Sequence, residues 1–309
     1  MQILQEVKRI DSKIENVSKY IFPGNIELVY LDNQTGKDII CIPSQTGCKL
    51  GCEFCHLTYR NDLKVSELDS LTIGSYVEYI IKDRQLAQTK NATLLLSFMG
   101  SGDPLLSVNY VHQVIASVNH FRLHNEELKS KYKEFRASIA TIFPSKKVAS
   151  EFITSLDQVS TYSGLTQPIK IHLSLHTTKQ NLRNKLMPKA LNITESIALI
   201  SQYSRQVLEE SYLRDLNVDF DNILEFNFTL CKDNCNEEEA QRLAFLSKTL
   251  NIPVRLLKFS ERPDNKVPSA TSIQKEKFIN ILNEQKVKYQ EYAPPGHDIL
   301  AACGEFEFL

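Results

Sequence analysis

The sequence predicts an α/β protein whose parallel sheet is wrapped by helices and curved into a partial or full barrel. Two observations carry this. Strand-like and helix-like segments alternate along most of the 309 residues, and repeated strand–helix order builds a parallel sheet with helices outside. The motifs that carry chemistry fall just after strand-like segments, and a barrel collects its reactive groups at the C-terminal strand ends.

The strand candidates are 27–31, 38–42, 93–98, 136–142, 169–175, 223–230, 253–259 and 287–292. Most are short apolar runs rich in Ile, Leu, Val, Phe and Tyr, as buried strands are. The helix candidates are 73–85, 108–118, 146–155, 193–209, 237–250 and 272–284. Each has apolar residues at helical spacing. Asn192 and Asn236 are candidate N-caps, with Glu195 and Glu239 three residues on. Residues 1–25 are expected to form a short helical extension, and residues 26–309 the barrel domain.

Hydrophobic residues make up 42% and charged residues 24%, ordinary for a globular protein. No apolar run is long enough to span a membrane, and the N-terminus lacks the apolar core of a secretory signal. A reducing cytoplasmic setting is therefore expected, where clustered cysteines bind metals or react rather than form a disulfide framework. The seven cysteines are an odd number as well. A net charge of −1 argues against strong nonspecific binding to nucleic acid. Two local basic runs remain, Lys129, Lys131, Lys133 and Arg136, and Lys179, Arg183, Lys185 and Lys189. They are read first as solvated faces.

Four cysteines fall within "CIPSQTGCKLGCEFC". Cys48, Cys52 and Cys55 have the spacing C-x3-C-x2-C, with Phe54 before the last and Gly47 and Gly51 to let the backbone wrap closely. Structural zinc takes four ligands, and a 4Fe–4S cluster held by cysteines normally takes four as well. Three thiols leave either His56 as a fourth zinc ligand or one iron open to an external ligand.

That spacing resembles the signature of radical S-adenosylmethionine (SAM) enzymes. The resemblance narrows to the RlmN/Cfr family of RNA adenosine methyltransferases through "IELVYL", "CIPSQTGCKLGCEFC", "SFMGSGDPLLS", "IHLSLHTTKQNLRNKLMP", "RLLKFS" and "GHDILAACGE", in the family's order over residues 26 to 305. It implies a partial (β/α)6 barrel and a 4Fe–4S cluster on Cys48, Cys52 and Cys55. The open iron would bind the amino and carboxylate groups of SAM, and one electron would cleave SAM to a 5′-deoxyadenosyl radical. It also implies methylation of carbon 2 or carbon 8 of an adenosine in rRNA or tRNA. An electron donor such as flavodoxin or ferredoxin and a thiol reductant would be needed. A monomer without membrane contact is expected. Family members carry a small N-terminal helical domain for which the 47 residues before Cys48 are too few.

The resemblance also assigns Cys41 and Cys303, which by themselves read as a buried strand cysteine and a tail thiol. Carbon 2 of adenine is too electron-poor to attack the SAM methyl; a thiolate can. Cys303 matches the family's methyl-accepting cysteine. Cys41 matches the cysteine that releases the protein–RNA link by forming a disulfide.

Gly102, Asp103 and Pro104 match a Gly-Glu-Pro turn whose backbone contacts the SAM amino group, with Asp in place of Glu; an ordinary turn is the alternative. Ser174 and His176 match a SAM-contacting Ser-x-His, against a satisfied strand-end histidine. Ser260 stands where the family has Asn near the SAM ribose. Glu27 matches an acidic residue near the active site, against a solvent-facing strand glutamate. Cys231 and Cys235 have no counterpart and read as incidental or as a redox pair. Two other functions stay open: the same cysteine relay on a different substrate, and a non-catalytic Fe–S or RNA-binding relative.

Overall fold

The structure is a computed structural model that describes residues 7–32, 35–59, 64–162, 164–213, 217–259, 267–302 and 305. Seven strands form its barrel wall: β4 (Lys37–Cys41), β5 (Thr93–Phe98), β6 (Glu134–Thr141), β7 (Lys170–Ser174), β8 (Leu224–Thr229), β9 (Val254–Leu257) and β10 (Tyr289–Tyr292). They lie side by side in chain order and every pair is parallel. Strict chain order distinguishes a (β/α) barrel from a doubly wound sheet, where the order reverses.

Three antiparallel strands precede this wall: β1 (Lys8–Asp11), β2 (Val17–Phe22) and β3 (Ile26–Asp32). Among the described residues β1 pairs only with β2 and β10 only with β9, so the barrel is partial.

The helices are α1 (Ser70–Asp83), α2 (Val108–Leu123), α3 (Glu126–Lys131), α4 (Lys146–Tyr162), α5 (Gln180–Leu186), α6 (Ile193–Leu213), α7 (Glu237–Leu250) and α8 (Ser272–Glu284). Their apolar stripes cover the outer face of the sheet. Ile73, Val77 and Ile80 of α1 and Val111, Val114 and Val118 of α2 share a buried core with Leu94 and Leu96 of β5. Each such side chain contributes roughly 1.5–3 kcal/mol by leaving water. Asn192 and Asn236 cap as expected, their side chains accepting from Glu195 N–H at 2.8 Å and Glu239 N–H at 3.0 Å. No helix among the described residues is long and apolar enough to cross a membrane.

Four expectations need correction. Among the described part of residues 1–25 there are strands rather than a helix, so the sheet starts at Lys8 and not at residue 26. The reason is a period of two: Val17, Lys19 and Ile21 share one face, Ser18, Tyr20 and Phe22 the other, and both faces are buried. Helices α3 and α5 were not expected, because six and seven residues are too few to show a 3.6-residue period. In the first basic run, Lys131 turns inward to bond the carbonyls of Leu86 and Thr89, and Arg136 lines the barrel interior. In the second, Arg183 is completely buried.

Candidate active site

A cavity of about 620 Å3 runs along the inner face of the sheet. Alternation along each strand decides what enters it: Cys41 from β4, Ser97 from β5, Ser138 and Ala140 from β6, His172 and Ser174 from β7, Asn227 from β8 and Leu257 from β9. At the C-terminal strand ends it also meets Cys48, Cys52, Cys55, Gly102, Asp103 and His176.

The cysteine loop is held by its own backbone. Gly51 adopts φ +75°, a left-handed conformation open to glycine. Cys55 N–H and the Thr58 hydroxyl both donate to the Cys52 carbonyl, at 3.0 and 2.8 Å. Glu53 N–H donates to the Leu186 carbonyl at 2.9 Å, tying the loop to the end of α5. Leu50, Leu186, Met187 and Phe259 form an apolar pad against which Cys48, Cys52 and Phe54 pack.

Burial pushes the thiols of Cys48 and Cys52 up. For Cys52 the neighbouring Cys55, Cys48 and Asp103 add to this, while the Arg183 charge opposes it. Cys52 thus lies in the field of both other thiols, and all three border the same open space. No three His, Cys, Asp or Glu side chains among the described residues already converge as a closed metal site. His56 is buried and absent from the cavity wall, so it is badly placed to complete a tetrahedral zinc site. Three soft thiols from one loop facing one void fit an iron–sulfur cluster with an open iron.

The turn after β5 packs against the segment after β4. Gly100 N–H donates to the Ile42 carbonyl at 3.1 Å, and Ser44 N–H to the Ser101 carbonyl at 2.8 Å. A Cβ on Gly100 would lie 2.7 Å from the Pro43 backbone. A Cβ on Gly102, at φ +88°, would lie 2.5 Å from the Ser44 hydroxyl. Asp103 is buried and its carboxylate is fully engaged. It accepts from Thr141 Oγ1, Ile142 N–H and Leu105 N–H, each at 3.0 Å. Burial raises its carboxyl to about 6 against those bonds. Asp103 therefore braces the turn against β6, which leaves the loop backbone to face a ligand. Pro104 is buried and starts the next short helical turn.

At the end of β7, Ser174 and His176 both line the cavity. His176 sits at φ +55°. Thr229 N–H donates to its Nδ1 at 2.9 Å, so the proton is on Nε2. Burial, with the Arg183 charge, lowers the imidazole to about 3, so it is neutral near pH 7. The Phe54 ring meets it edge-on at 4.6 Å.

Two residues that organise this corner escaped sequence reasoning. Arg183 donates to the carbonyls of Ser174, Leu175, Ile142 and Leu191, at 2.8–3.2 Å. Glu239, at the start of α7, is buried and accepts from Thr177 Oγ1, Thr178 N–H and Thr178 Oγ1. The available signal for Arg183 was its place on a stripe with Leu186, three residues on.

Cys41 faces the cavity and packs with Val29, Leu31, Ile299 and Ala301. The segment 296–302 lies over β2 and β3, held by Gly296 N–H to Glu15 at 2.6 Å and by Lys19 Nζ to the Leu300 carbonyl at 3.1 Å. Cys303 and Ser260 lie outside the described residues. Glu27 shares a face with Val29 and Leu31, but it is buried against Lys19 Nζ at 3.0 Å and is absent from the main cavity wall. The solvent-facing alternative for Glu27 does not hold. Cys231 and Cys235 are both buried as free thiols, Cys231 within the pad beside the cluster loop.

No family model matches the chain. Several curated relatives do. The chain is 25% identical over 308 residues to the dual-specificity RNA methyltransferase RlmN of Vesicomyosocius okutanii, covering 98% of this chain and 77% of the relative. It is 28% identical over 310 residues to the probable RlmN of Clostridium tetani, covering 97% and 77%. Against the RlmN of a Bradyrhizobium strain it is 26% identical, covering 91% of this chain and 64% of the relative. Among solved structures, a radical SAM methyltransferase from Sphaerobacter thermophilus shares the fold, with a TM-score of 0.69 and 20% identity over 97% of this chain and 80% of that one. With the cysteine loop and the ordered motifs around one cavity, the chain is similar over nearly its whole length to the RlmN methyltransferases and shares the fold of a radical SAM methyltransferase.

Proposed function

We propose that the chain methylates an adenosine base in RNA, with Cys303 as methyl carrier and Cys41 as the resolving thiol. One observation supports this most directly: Cys41 shares a cavity with Cys48, Cys52, Cys55 and Ala301, and Ala301 is two residues from Cys303. A lone buried strand cysteine would have no reason to meet both.

Cys48, Cys52 and Cys55 would hold a 4Fe–4S cluster, which supplies the electron for reductive cleavage of SAM. The chain's own residues do the rest. The backbone of the 100–104 turn, fixed by the Asp103 brace, presents its polar groups to the amino end of SAM. Ser174 and neutral His176 border the same space, and His176 offers Nε2–H as a donor. The Cys303 thiolate attacks the sulfonium-bound methyl; an S–CH3 bond forms and the bond to the SAM sulfur breaks. The Cys41 thiolate later attacks the Cys303 sulfur: the disulfide forms, and the bond from that sulfur to the carbon attached to adenine breaks. That carbon takes the electron pair and a proton and leaves as the methyl group of the product, and an external thiol reduces the disulfide. The substrate class is rRNA or tRNA, the electron donor a flavodoxin or ferredoxin, and the setting cytoplasmic.

Peptide mass spectrometry on the segment containing Cys303, after anaerobic reconstitution with iron and sulfide and addition of SAM, tests this. One added methyl on Cys303 is the expected result. An unmodified Cys303 in a protein that cleaves SAM overturns the relay.

A further inference from the structure

The cavity has a second charged region at the opposite end from the cysteine loop. Lys37, Arg136, Lys170, Glu225 and Arg255 come from the N-terminal ends of β4, β6, β7, β8 and β9, and all line it. Anionic partners there are shared or missing. The Glu225 carboxylate serves three neighbours at once: His172 Nδ1 at 2.8 Å, Arg255 at 3.0 Å and Lys170 at 3.4 Å. Arg136 pairs through one terminal nitrogen with Glu134 at 3.0 Å. The Nε–H groups of Arg136 and Arg255 are both buried with no hydrogen-bond partner. Lys37 makes no hydrogen bond or ion pair among the described residues; Asp219 and Glu134 attract it only from a distance. Burial, and then the charge of Arg136, lower its ammonium pKa.

Buried donors without acceptors and a cation facing other cations both cost stability. One oxyanion would relieve both. Two guanidinium groups and an ammonium suit a tetrahedral anion with several acceptor oxygens better than a planar carboxylate. We propose that the floor of the barrel is a phosphate-binding site formed by Lys37, Arg136 and Arg255. This does not depend on the chemistry at the cysteine end. The phosphate is either free or part of a polynucleotide backbone.

The test is calorimetric titration of the full chain, at matched ionic strength, with inorganic phosphate and separately with a short oligoribonucleotide. Each is repeated on Lys37→Met and Arg136→Gln. A charge-assisted hydrogen bond contributes about 1.5–3 kcal/mol, so each variant is expected to weaken binding by roughly tenfold to a hundredfold. Loss of inorganic phosphate binding identifies a free phosphate as the occupant. Loss confined to the oligonucleotide identifies a backbone phosphate. Equal affinities in parent and variants, or no binding of either probe by the parent, overturns the proposal. Thermal unfolding separates a purely structural network. Lys37→Met is expected to leave the ligand-free midpoint unchanged or higher, because it removes a repulsion. A lowered midpoint with no effect of phosphate on the parent also overturns the site.

Discussion

Cys41 ends β4 with its side chain in the cavity, level with Ser97 on one neighbouring strand and Val29 on the other. If it resolves the protein–RNA link, Cys41→Ala stalls there. RNA-bound protein is then expected as a slower band in denaturing gels, removed by ribonuclease. A Cys41→Ala protein that turns over normally with no such band takes Cys41 out of the reaction. His172 and Glu225 set an acid limit on the fold. Burial lowers the His172 imidazole from 6.5 to about 4, although its hydrogen bond to Glu225 opposes this. Burial pushes the Glu225 carboxyl up, but the bond and charge of His172 and the charges of Arg255 and Lys170 outweigh it and hold it at about 2. Both values are depressed by folding. Their contributions are complete above the unfolded values of 6.5 and 4.5 and are lost as pH falls. Asp103, raised to about 6, acts in the opposite sense over 3.8 to 6. The difference in urea stability between the parent and His172→Gln isolates the histidine: it should move against the parent as pH falls from 6.5 to 4, and a difference that does not change over this window removes His172 from the acid limit.

The elements that carry the site are the short irregular ones between strands and helices. Gly100→Ala would force a Cβ to 2.7 Å from the Pro43 backbone, where neither loop can yield cheaply. Overpacking of this kind costs about 1–3 kcal/mol, and a lower melting midpoint together with weaker SAM binding is expected. Arg183→Leu strips the carbonyls of Ser174, Leu175, Ile142 and Leu191 of their donor. Unsatisfied buried acceptors of this number should cost roughly 3–5 kcal/mol, read as a drop in melting midpoint. Iron retained after reconstitution should fall too, since Arg183 is the cation near Cys52. The eight expected strands and six expected helices were legible because apolar periodicity marks what is buried. The 48–55 loop was legible because its spacing is unusual. Arg183 was not, since a run of charges hides which one faces inward. Glu239 was assigned to a helix cap from its spacing, whereas its carboxylate reaches back to Thr177 and Thr178.

At the scale of the molecule, the N-terminal strands and the C-terminal segment form one unit. Asp298 accepts from Ser12 Oγ at 2.8 Å and Lys13 N–H at 2.9 Å, both in the turn between β1 and β2. Val17 and Val29 pack against Ile299 and Ala301 beneath it. A helix read over residues 1–25 concealed this, because what makes these residues a strand is a tertiary contact with residues almost the whole chain away. Asp298→Ala should free the segment without unfolding the barrel. Faster hydrogen exchange over 296–302, with a melting midpoint close to the parent's, is the expected pair of results. Unchanged exchange would mean the apolar contacts alone suffice.

That tether has a practical side. The tip of the β1–β2 hairpin is exposed and, apart from Ile14, polar, the kind of place where an affinity tag or reporter is usually spliced in without harm. Here the same five residues that would receive the insert hold the Asp298 carboxylate and, through Glu15, the Gly296 backbone. A tag grafted there would act as a lever on the far terminus, and a fully folded fusion protein could still fail as a catalyst.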